Sequence, residues 1–439
     1  MQLASNFCKV CGGGALQEIA EYRSLPRVTS DCTPFRSGGR LLVCETCGAA
    51  QSPADRQWSA EIGEIYAAYR SFQQYGGPEQ HVLDGATGQL RRRSQVLLDR
   101  MATAPGFPRG GTVLDVGCGG GATLRAFSER GCWRLFGQEL DGRDLPLLRA
   151  IPGFEMLFTC PLPEIPRRFD LVTMVHSLEH FIQPAPALRD LRSKIAPGGR
   201  LFVEVPDAGI NPFDCLVADH MVHFTAATLG DLAVRAGFAP DCVSTTWVTK
   251  ELSLVAYPNG TQPHRLSSDP EHEVRRVRAQ VKWLAELIET AHQAASAGAR
   301  FGLFGSTIAA TWLYGVLGDR VDFFVEEDTN RVGRTHLDRP IYSPQTVPRG
   351  SVVFLALAPH IARHVAARVS RSPIDLRIPA AMPVAASGLL TRSVSRKSRV
   401  RPSTPHVTVA TDYPPYPKHR QKGNNEPLRA RAAGTSDPD

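Results

Sequence analysis

The sequence predicts an α/β protein centred on a doubly wound, Rossmann-like sheet. A small N-terminal zinc-binding domain and a second, C-terminal Rossmann-like α/β domain are expected to flank it. Three observations lead to this prediction. Residues 112–116 form an apolar, β-branched run with four glycines directly behind it, two C-x-x-C pairs lie within the first 50 residues, and strand and helix patterns alternate again after residue 299.

The glycine-rich turn indicates a nucleotide site. A buried strand, a glycine turn and a helix N-terminus let backbone N–H groups approach a ligand where a Cβ atom would collide. The next predicted strand, residues 134–140, carries a carboxylate at its C-terminal end, where it can bind both hydroxyls of a ribose. The sequence therefore predicts that an adenosine-containing cofactor is bound by Asp115, Gly117, Gly119, Gly121 and Glu139.

Four of the ten cysteines form two C-x-x-C pairs, Cys8 with Cys11 and Cys44 with Cys47. Each pair can direct two thiolates at one ion, and together they complete the tetrahedral sulfur shell that zinc favours. A thioredoxin-like dithiol lacks its βαβ context here, and a nucleic-acid-reading ribbon lacks a basic stripe between the pairs. We expect a structural zinc domain at residues 1–55, folded largely by its metal.

The rest of the chain, 439 residues long and 42% hydrophobic, is long enough for further domains. Asp269 and Pro270 begin a long helix with apolar residues at a 3/4 spacing. The glycines after residue 301 do not complete G-x-G-x-x-G, so no dinucleotide is assigned there. The predicted units are a helical connector at 56–105, a cofactor domain at 106–256, a linker and long helix at 257–298, a Rossmann-like domain at 299–390 and a disordered basic tail at 391–439.

The formal net charge of +7 is concentrated in the tail, where residues 391–439 hold 10 Lys and Arg against 4 Asp and Glu. The folded body is nearly neutral, so nucleic acid is not the expected partner. No run of 18 apolar residues occurs, and no membrane span is expected. The N-terminus lacks the pattern of a signal peptide, which favours a cytoplasmic location.

Three ionisable residues, Asp219, His220 and His223, precede a helix N-cap at Thr225, at the predicted rim of the cofactor sheet. Histidine titrates near neutral pH, so His220 can accept a proton from a substrate while Asp219 orients the ring or stabilises its cation. The alternative is that both histidines only bond backbone carbonyls. We predict these three residues as the catalytic group.

Two further histidines, His176 and His180, follow the predicted fourth strand. Their spacing is similar to that of a zinc-protease helix, but Ser177 stands where that motif needs a glutamate. Ligands bind at the carboxyl ends of strands in such sheets. We therefore interpret His176 as part of a loop beside the cofactor.

The run Asp115-Val-Gly-Cys-Gly-Gly-Gly121 resembles the class I S-adenosylmethionine (SAM)-dependent methyltransferases rather than NAD dehydrogenases. Residues 168–180 resemble that family's fourth strand and the loop after it. Residues 191–206 resemble its helix, Pro-Gly-Gly turn and fifth strand. The resemblance implies SAM as the cofactor, with His176 beside it.

The order of units from residue 5 to residue 370 resembles the zinc-containing sugar C-methyltransferases, which methylate carbon on nucleotide-linked keto-deoxysugars. The specific parts are residues 41–51, 114–121, 321–333 and the segment around His220. That family has Tyr-His-Glu-His where this chain has Val217-Ala-Asp-His220, and Gly-Gly-Ser-Leu within the stretch that is residues 250–254 here. The resemblance implies a base that removes the proton next to a ketone, so that the enolate attacks the methyl group.

Several functions remain open. We predict SAM-dependent methyl transfer to a small metabolite, with carbon of a nucleotide-linked keto-deoxysugar as the first acceptor. The same His220 suits an O-methyltransferase that deprotonates a hydroxyl of a sugar or natural product. An RNA-binding methyltransferase would use the zinc domain and the basic tail. A substrate-binding scaffold would bind the cofactor without turnover.

Overall fold

The computed structural model describes residues 7–69, 79–84, 89–104, 106–259, 269–296, 300–369, 374–382 and 409–410. Most of the predicted linker, and nearly all of the tail predicted to be disordered, lie outside these residues. Among the helices that are described, none is both long and apolar enough to cross a bilayer.

An N-terminal module of short strands precedes the first long helix. Its elements are β1 (Leu16–Glu18), β2 (Arg27–Val28), β3 (Pro34–Phe35), β4 (Leu42–Cys44), β5 (Ala50–Gln51) and α1 (Arg56–Ala68). β4 pairs with β1 and β5, and β2 pairs with β3, all antiparallel. Asp55 caps α1, since its Oδ1 accepts a hydrogen bond from the backbone N–H of Trp58 at 2.8 Å.

The predicted helical connector is only partly helical. A hairpin of β6 (His81–Leu83) and β7 (Leu90–Arg92) separates α1 from α2 (Arg93–Met101). Between the two helices the chain is extended instead, since His81–Leu83 and Leu90–Arg92 pair antiparallel.

The central sheet and its covering helices follow, together with β13, which pairs with β5 of the N-terminal module. In chain order they are β8 (Gly111–Val116), α3 (Ala122–Arg130), β9 (Trp133–Gln138), α4 (Leu145–Arg149), β10 (Phe154–Phe158), β11 (Phe169–Val175), α5 (Pro184–Arg192), β12 (Ile195–Pro206), β13 (Val222–His223), α6 (Ala226–Arg235), β14 (Phe238–Ser244) and β15 (Glu251–Pro258).

The strand order in the central sheet is β10-β9-β8-β11-β12-β15-β14. The five strands from β10 to β12 in this order run parallel, and β15 lies antiparallel to β12 and β14. The chain starts in the middle at β8, winds outward to β10, and then crosses to β11 on the other side. This confirms the predicted doubly wound sheet, whose ligand crevice opens at the carboxyl ends of β8 and β11.

A second sheet follows a long helix. The elements are α7 (Pro270–Ala295), β16 (Phe301–Phe304), α8 (Ile308–Leu317), β17 (Phe323–Val325), β18 (Thr335–His336), β19 (Arg339–Tyr342), β20 (Val352–Leu355), α9 (Pro359–Val369) and β21 (Asp375–Arg377). The order is β18-β19-β17-β16-β20-β21, and all pairings except that of β18 are parallel. Of the tail, Val409–Ala410 pairs with β14 at the edge of the central sheet.

One apolar core joins the N-terminal module, α7 and the second sheet. Phe213, in the loop that leaves the central sheet, packs between Trp283 of α7 and Trp312 of α8, with ring centroids 5.7 and 6.1 Å away. The residues after Phe213 are therefore anchored by a core outside the cofactor sheet. The other buried members of this core include Ile19, Tyr22, Leu25, Val28, Leu41, Val43, Val217, Leu284, Leu313 and Phe324.

A buried ion pair ties β2 to α1. Arg27 Nη1 and Nη2 donate to the two carboxylate oxygens of Glu61 at 2.8 and 2.9 Å, and both side chains are at most 4% exposed. The bidentate geometry satisfies two charges that burial would otherwise penalise.

Replacing Glu61 with Gln should destabilise the protein by about 3–5 kcal/mol, because the Arg27 guanidinium stays buried without a counter-charge. The measurement is the shift of the denaturation midpoint in urea. Glu64→Gln is the matched control, since Glu64 is exposed on the same helix and pairs with Arg36 at the surface. Equal midpoints for the two variants would contradict this account.

Candidate functional site

The turn between β8 and α3 is built from glycines that no other residue replaces without strain. Gly117, Gly119 and Gly121 have φ values of +72°, +48° and +82°. A Cβ atom at Gly121 would come within 2.7 Å of Ile151 and Leu148, and one at Gly117 within 2.6 Å of Ser177. The backbone thus turns tightly into the start of α3, and a ligand can approach the chain closely at its glycines.

Glu139 lies at the end of β9 and reaches this turn. Its Oε1 accepts a hydrogen bond from the backbone N–H of Gly119 at 2.7 Å, and its Oε2 accepts one from Leu140 at 3.1 Å. Asp115, inside β8, accepts a hydrogen bond from the Thr173 hydroxyl at 2.6 Å, and burial raises its pKa to about 7. The structure therefore brings all the predicted cofactor residues of the turn and Glu139 to one edge of the sheet.

His176 follows β11 and lies against the same turn. Its neighbour Ser177 donates to the Val116 carbonyl at 2.8 Å, which joins the loop after β11 to the end of β8. His176 adopts a φ of +51°, an uncommon conformation for a residue with a side chain. The loop position predicted for His176 agrees with this placement, and its contact with a cofactor stays a prediction.

The carboxylate that holds His220 is Asp214, which the sequence analysis missed. His220 Nδ1 donates to Asp214 Oδ1 at 3.0 Å, and His223 Nδ1 donates to Asp214 Oδ2 at 2.8 Å. All three side chains are buried. The only signal in the sequence is an acid six residues before His220, directly after Phe213. One carboxylate thus orients both histidines that were predicted as catalytic.

Asp219 does not orient the His220 ring through a hydrogen bond, contrary to prediction, but its charge is among those that raise the pKa of His220, in line with the predicted alternative that it stabilises the cation. Its carboxylate faces the N-terminal module, and its Oδ2 also lies 3.4 Å from His180 Nδ1. Its oxygens accept from the backbone N–H of Ser30 at 2.9 Å and from the Ser30 hydroxyl at 2.5 Å. Ala218 and Asp219 lie in a turn, closed by a hydrogen bond from the His220 N–H to the Val217 carbonyl at 3.2 Å, and the turn directs the Asp219 carboxylate toward Ser30. Asp219 instead contacts His180, whose Nδ1 donates to the Asp219 carbonyl at 3.1 Å.

The electrostatic environment stabilises the protonated form of His220. Burial lowers the pKa of His220, but the hydrogen bond and charge of Asp214 outweigh burial and raise this pKa to about 9. Burial raises the pKa of Asp214, yet the two histidines hold it well below its ordinary range. With Nδ1 fixed by Asp214, the Nε2 atom is the one left to exchange a proton.

His220 also packs against the loop that follows β11. Its ring meets the His180 ring edge-on, with centroids 4.8 Å apart. The Tyr66 hydroxyl lies 3.3 Å from His180 Nδ1. Glu179, His180 and His220 offer side-chain atoms within 4.8 Å of one another. His220 therefore stands beside the loop that flanks the glycine turn.

The N-terminal module holds the loop that carries His220. β5 pairs with β13, so the module's sheet ends on His223. The Ser52 hydroxyl donates to the His220 carbonyl at 2.9 Å, and Trp58 Nε1 donates to the Ala218 carbonyl at 3.2 Å. The position of His220 thus depends on the N-terminal module as well as on the central sheet.

The four predicted zinc ligands converge within the module. All four sulfurs lie within 4.8 Å of one another, with Cys8 Sγ 3.5 Å from Cys47 Sγ and Cys11 Sγ 3.6 Å from Cys44 Sγ. Tetrahedral zinc with Zn–S bonds of about 2.3 Å needs sulfurs about 3.8 Å apart. The donor set and its spacing therefore fit one zinc ion.

Residues 87–243 match the family described as "Methyltransferase domain". Over 129 residues the chain is 30% identical to the ubiquinone biosynthesis O-methyltransferase of Aeromonas salmonicida, which covers 28% of this chain and 54% of that protein. It is 33% identical over 102 residues to the enzyme of the same name from Pseudomonas paraeruginosa, and the match covers 21% of this chain and 44% of that enzyme. The chain spans about half the length of the curated relatives it matches.

Among solved structures, the chain is similar to 1,6-didemethyltoxoflavin-N1-methyltransferase of Burkholderia thailandensis, with 19% identity and a TM-score of 0.35 over 48% of this chain and 96% of that one. The chain is also similar to a SAM-dependent methyltransferase of Clostridium acetobutylicum, with 10% identity and a TM-score of 0.32. This match covers 46% of this chain and 98% of that one. From the family match we conclude that the chain contains a class I SAM-dependent methyltransferase domain, as predicted.

Replacing Glu139 with Gln should weaken SAM binding about 10- to 100-fold, because hydrogen bonds from the ribose to a charged carboxylate are lost. Isothermal calorimetry with SAM measures the dissociation constant. Glu155→Gln, an exposed position on β10 paired with Arg134, is the control and should bind SAM as the wild type does. Unchanged affinity in the Glu139 variant would remove this residue from the cofactor site.

Proposed function

We propose that this protein is a SAM-dependent methyltransferase that takes a proton from a small acceptor and transfers a methyl group to the deprotonated atom. One observation carries the proposal. A buried His220, held by Asp214 at 3.0 Å, stands beside the loop that flanks the glycine turn of a methyltransferase domain. A base and a methyl donor site on neighbouring loops are what proton removal coupled to methyl transfer requires.

Each residue of the site has a separate role in the proposed reaction. The glycine turn and the Glu139 carboxylate hold the cofactor, and His176 lies in the loop beside it. Bound SAM supplies an electrophilic methyl group on a sulfonium. His220 Nε2 takes the proton from the acceptor, and Asp214 stabilises the imidazolium that results. As the acceptor–methyl bond forms, the sulfur–methyl bond breaks, and its electron pair stays on the neutral thioether.

The acceptor atom that we propose first is a hydroxyl oxygen. The curated relatives carry the name O-methyltransferase, at about 30% identity over part of the chain. A base with its pKa raised to about 9 lies close to the pKa of a phenol, near 10, so proton transfer between them is almost balanced.

Carbon next to the ketone of a nucleotide-linked deoxysugar is the second candidate. It is favoured by the cysteine module, whose strand β5 pairs with the strand that bears His223, together with the resemblance of residues 41–51 and 217–220 to the sugar C-methyltransferases. Labelled SAM with a panel of phenols, sugar hydroxyls and nucleotide-linked keto-deoxysugars separates the two candidates. Methyl transfer to carbon alone would overturn the choice of oxygen.

His220→Ala should lower kcat/KM about 10²- to 10⁴-fold, the usual contribution of a general base. His272→Ala on α7 is the control, since His272 lies outside this cluster. SAM affinity should stay within error of the wild type in both variants. An active His220→Ala enzyme would exclude His220 as the base.

The pH dependence of kcat/KM should follow the neutral form of His220. Because Asp214 raises the pKa of His220 to about 9, the proton-accepting form increases as pH rises, and kcat/KM should climb to a plateau above pH 9. Asp214→Asn removes the largest contributions that raise this pKa, while the charges of Glu179 and Asp219, which also raise it, remain against burial, which lowers it. The rise in kcat/KM should therefore move to lower pH. An unshifted profile would show that Asp214 does not tune the base.

We propose further that one zinc ion binds Cys8, Cys11, Cys44 and Cys47 and maintains the module that holds the His220 loop. Purified protein should contain one zinc per chain by mass spectrometry, and Cys44→Ser should lose it. Hydrogen exchange at residues 214–223 should then accelerate, because β13 loses its partner strand β5. Cys132→Ser, an exposed cysteine, is the control. A zinc-free wild type with normal protection would contradict this role.

A further inference from the structure

A second group of buried ionisable side chains surrounds His176 and is not used by the proton transfer described above. His176 Nδ1 lies 3.4 Å from Glu179 Oε1, and its Nε2 lies 3.5 Å from Glu251 Oε2 and 3.8 Å from Glu204 Oε1. Arg93 at the start of α2 approaches the far side, with Nη2 3.5 Å from Glu251 Oε1. We call Arg93, His176, Glu179, Glu204 and Glu251 the glutamate cluster.

The glutamate cluster lies on the ligand edge of the sheet. Glu204 is opposite Val175 in the pairing of β12 with β11, and His176 is the next residue along that strand. Glu251 opens β15, opposite Pro206 at the carboxyl end of β12. The cluster therefore sits at the end of the sheet where the glycine turn and His176 face the ligand crevice.

The cluster has hydrogen-bonding capacity that the chain does not use. Both carboxylate oxygens of Glu179, Oε1 of Glu204 and Oε2 of Glu251 are buried and have no hydrogen-bond partner. Glu179 is 1% exposed and Glu204 is fully buried. Buried polar atoms without partners are costly, and in native proteins they mark a bound water, ion or ligand. Four carboxylate oxygens here lack a donor, and two nitrogens of the same cluster, His176 Nε2 and Arg93 Nε, also have no hydrogen-bond partner.

The charge state of the three glutamates indicates which kind of ligand would bind to the glutamate cluster. Among the described residues, the Arg93 guanidinium lies 3.9 Å from Glu204 and 3.5 Å from Glu251, and the structure records no ion pair between Glu179 and an Arg or Lys. Burial raises the pKa of Glu179 and of Glu204 to about 8 and that of Glu251 to about 7. Near neutral pH such carboxyl groups are largely protonated, and a bound cation would lower their pKa values and ionise them, whereas a neutral hydroxyl would not. A protonated amine supplies three N–H donors and a positive charge at once.

We propose that the glutamate cluster is an acceptor subsite that binds a protonated amino group, so that the methyl acceptor is an amine-bearing small molecule. The proposal rests on the proposed function and deepens it by naming the substrate class. Glu251 stands within the stretch where the resembling sugar C-methyltransferases have Gly-Gly-Ser-Leu, so this carboxylate is a feature of the present chain. The amino group anchors the acceptor, and a different atom of the same molecule receives the methyl group.

The test uses the full chain saturated with S-adenosylhomocysteine and three matched probe pairs. These are glucosamine with glucose, cyclohexylamine with cyclohexanol, and phenethylamine with phenethyl alcohol. Saturation-transfer NMR titrations give their dissociation constants. In at least one pair the amine should bind at least about 10-fold more tightly than the alcohol, as a charge-assisted hydrogen bond predicts. Glu251→Gln and Glu204→Gln should abolish that preference.

Glu289→Gln, an exposed glutamate on α7, is the control and should keep the preference. Calorimetry with S-adenosylhomocysteine reports folding and cofactor binding, and its affinity should not change in any of the three variants. Equal binding of amine and alcohol in every pair, which is the result expected for a site that holds only water, would overturn the proposal.

A selective loss of SAM affinity relative to S-adenosylhomocysteine in Glu251→Gln would also overturn it, because the cluster would then pair with the sulfonium. Failure of the proposed function looks different, since SAM would then not bind even the wild type.

Discussion

The site depends on one buried carboxylate, that of Asp214, shared between His220 and His223. A buried charge must be paired, because water does not solvate it. Removing the Asp214 carboxylate would leave the two buried imidazoles without a hydrogen-bond acceptor. The residue beside it, Phe213, is locked between two tryptophans of the C-terminal half, so the carboxylate has little freedom to follow a moving partner. The raised pKa of His220 thus comes from a rigid environment, in which Asp214 is held close to the ring.

That environment draws on three parts of the chain. The central sheet supplies the glycine turn and the loop after β11. The cysteine module supplies a strand, β5, which pairs directly with the strand that bears His223. The helix α7 and the second sheet supply the apolar core beneath the loop. Proton removal is sensitive to small displacements of the base, which gives these distant elements a direct role in the proposed reaction.

The N-terminal module is therefore better understood as part of the site than as an appended domain. Ser30 of the module holds Asp219, and Ser52 holds the carbonyl of His220. A cysteine cluster of this size cannot build a large apolar core by itself, so a metal would stabilise both the module and, through these hydrogen bonds, the loop. The glutamates around His176 make this part of the ligand edge of the sheet acidic, which suits the binding of a cation.

Local patterns in the sequence determined the parts that depend on backbone shape. The strand before the glycines, the turn itself, the acid at the end of β9 and the paired cysteines all follow from short spacings, because φ angles and strand alternation are set by neighbouring residues. The structure alone decided which side chains meet. Asp214 rather than Asp219 holds His220, Ser30 reaches Asp219 across 189 positions, and Glu204 and Glu251 converge on His176. Such contacts join residues far apart in the chain, and only the packing of complete elements brings their atoms within hydrogen-bond distance.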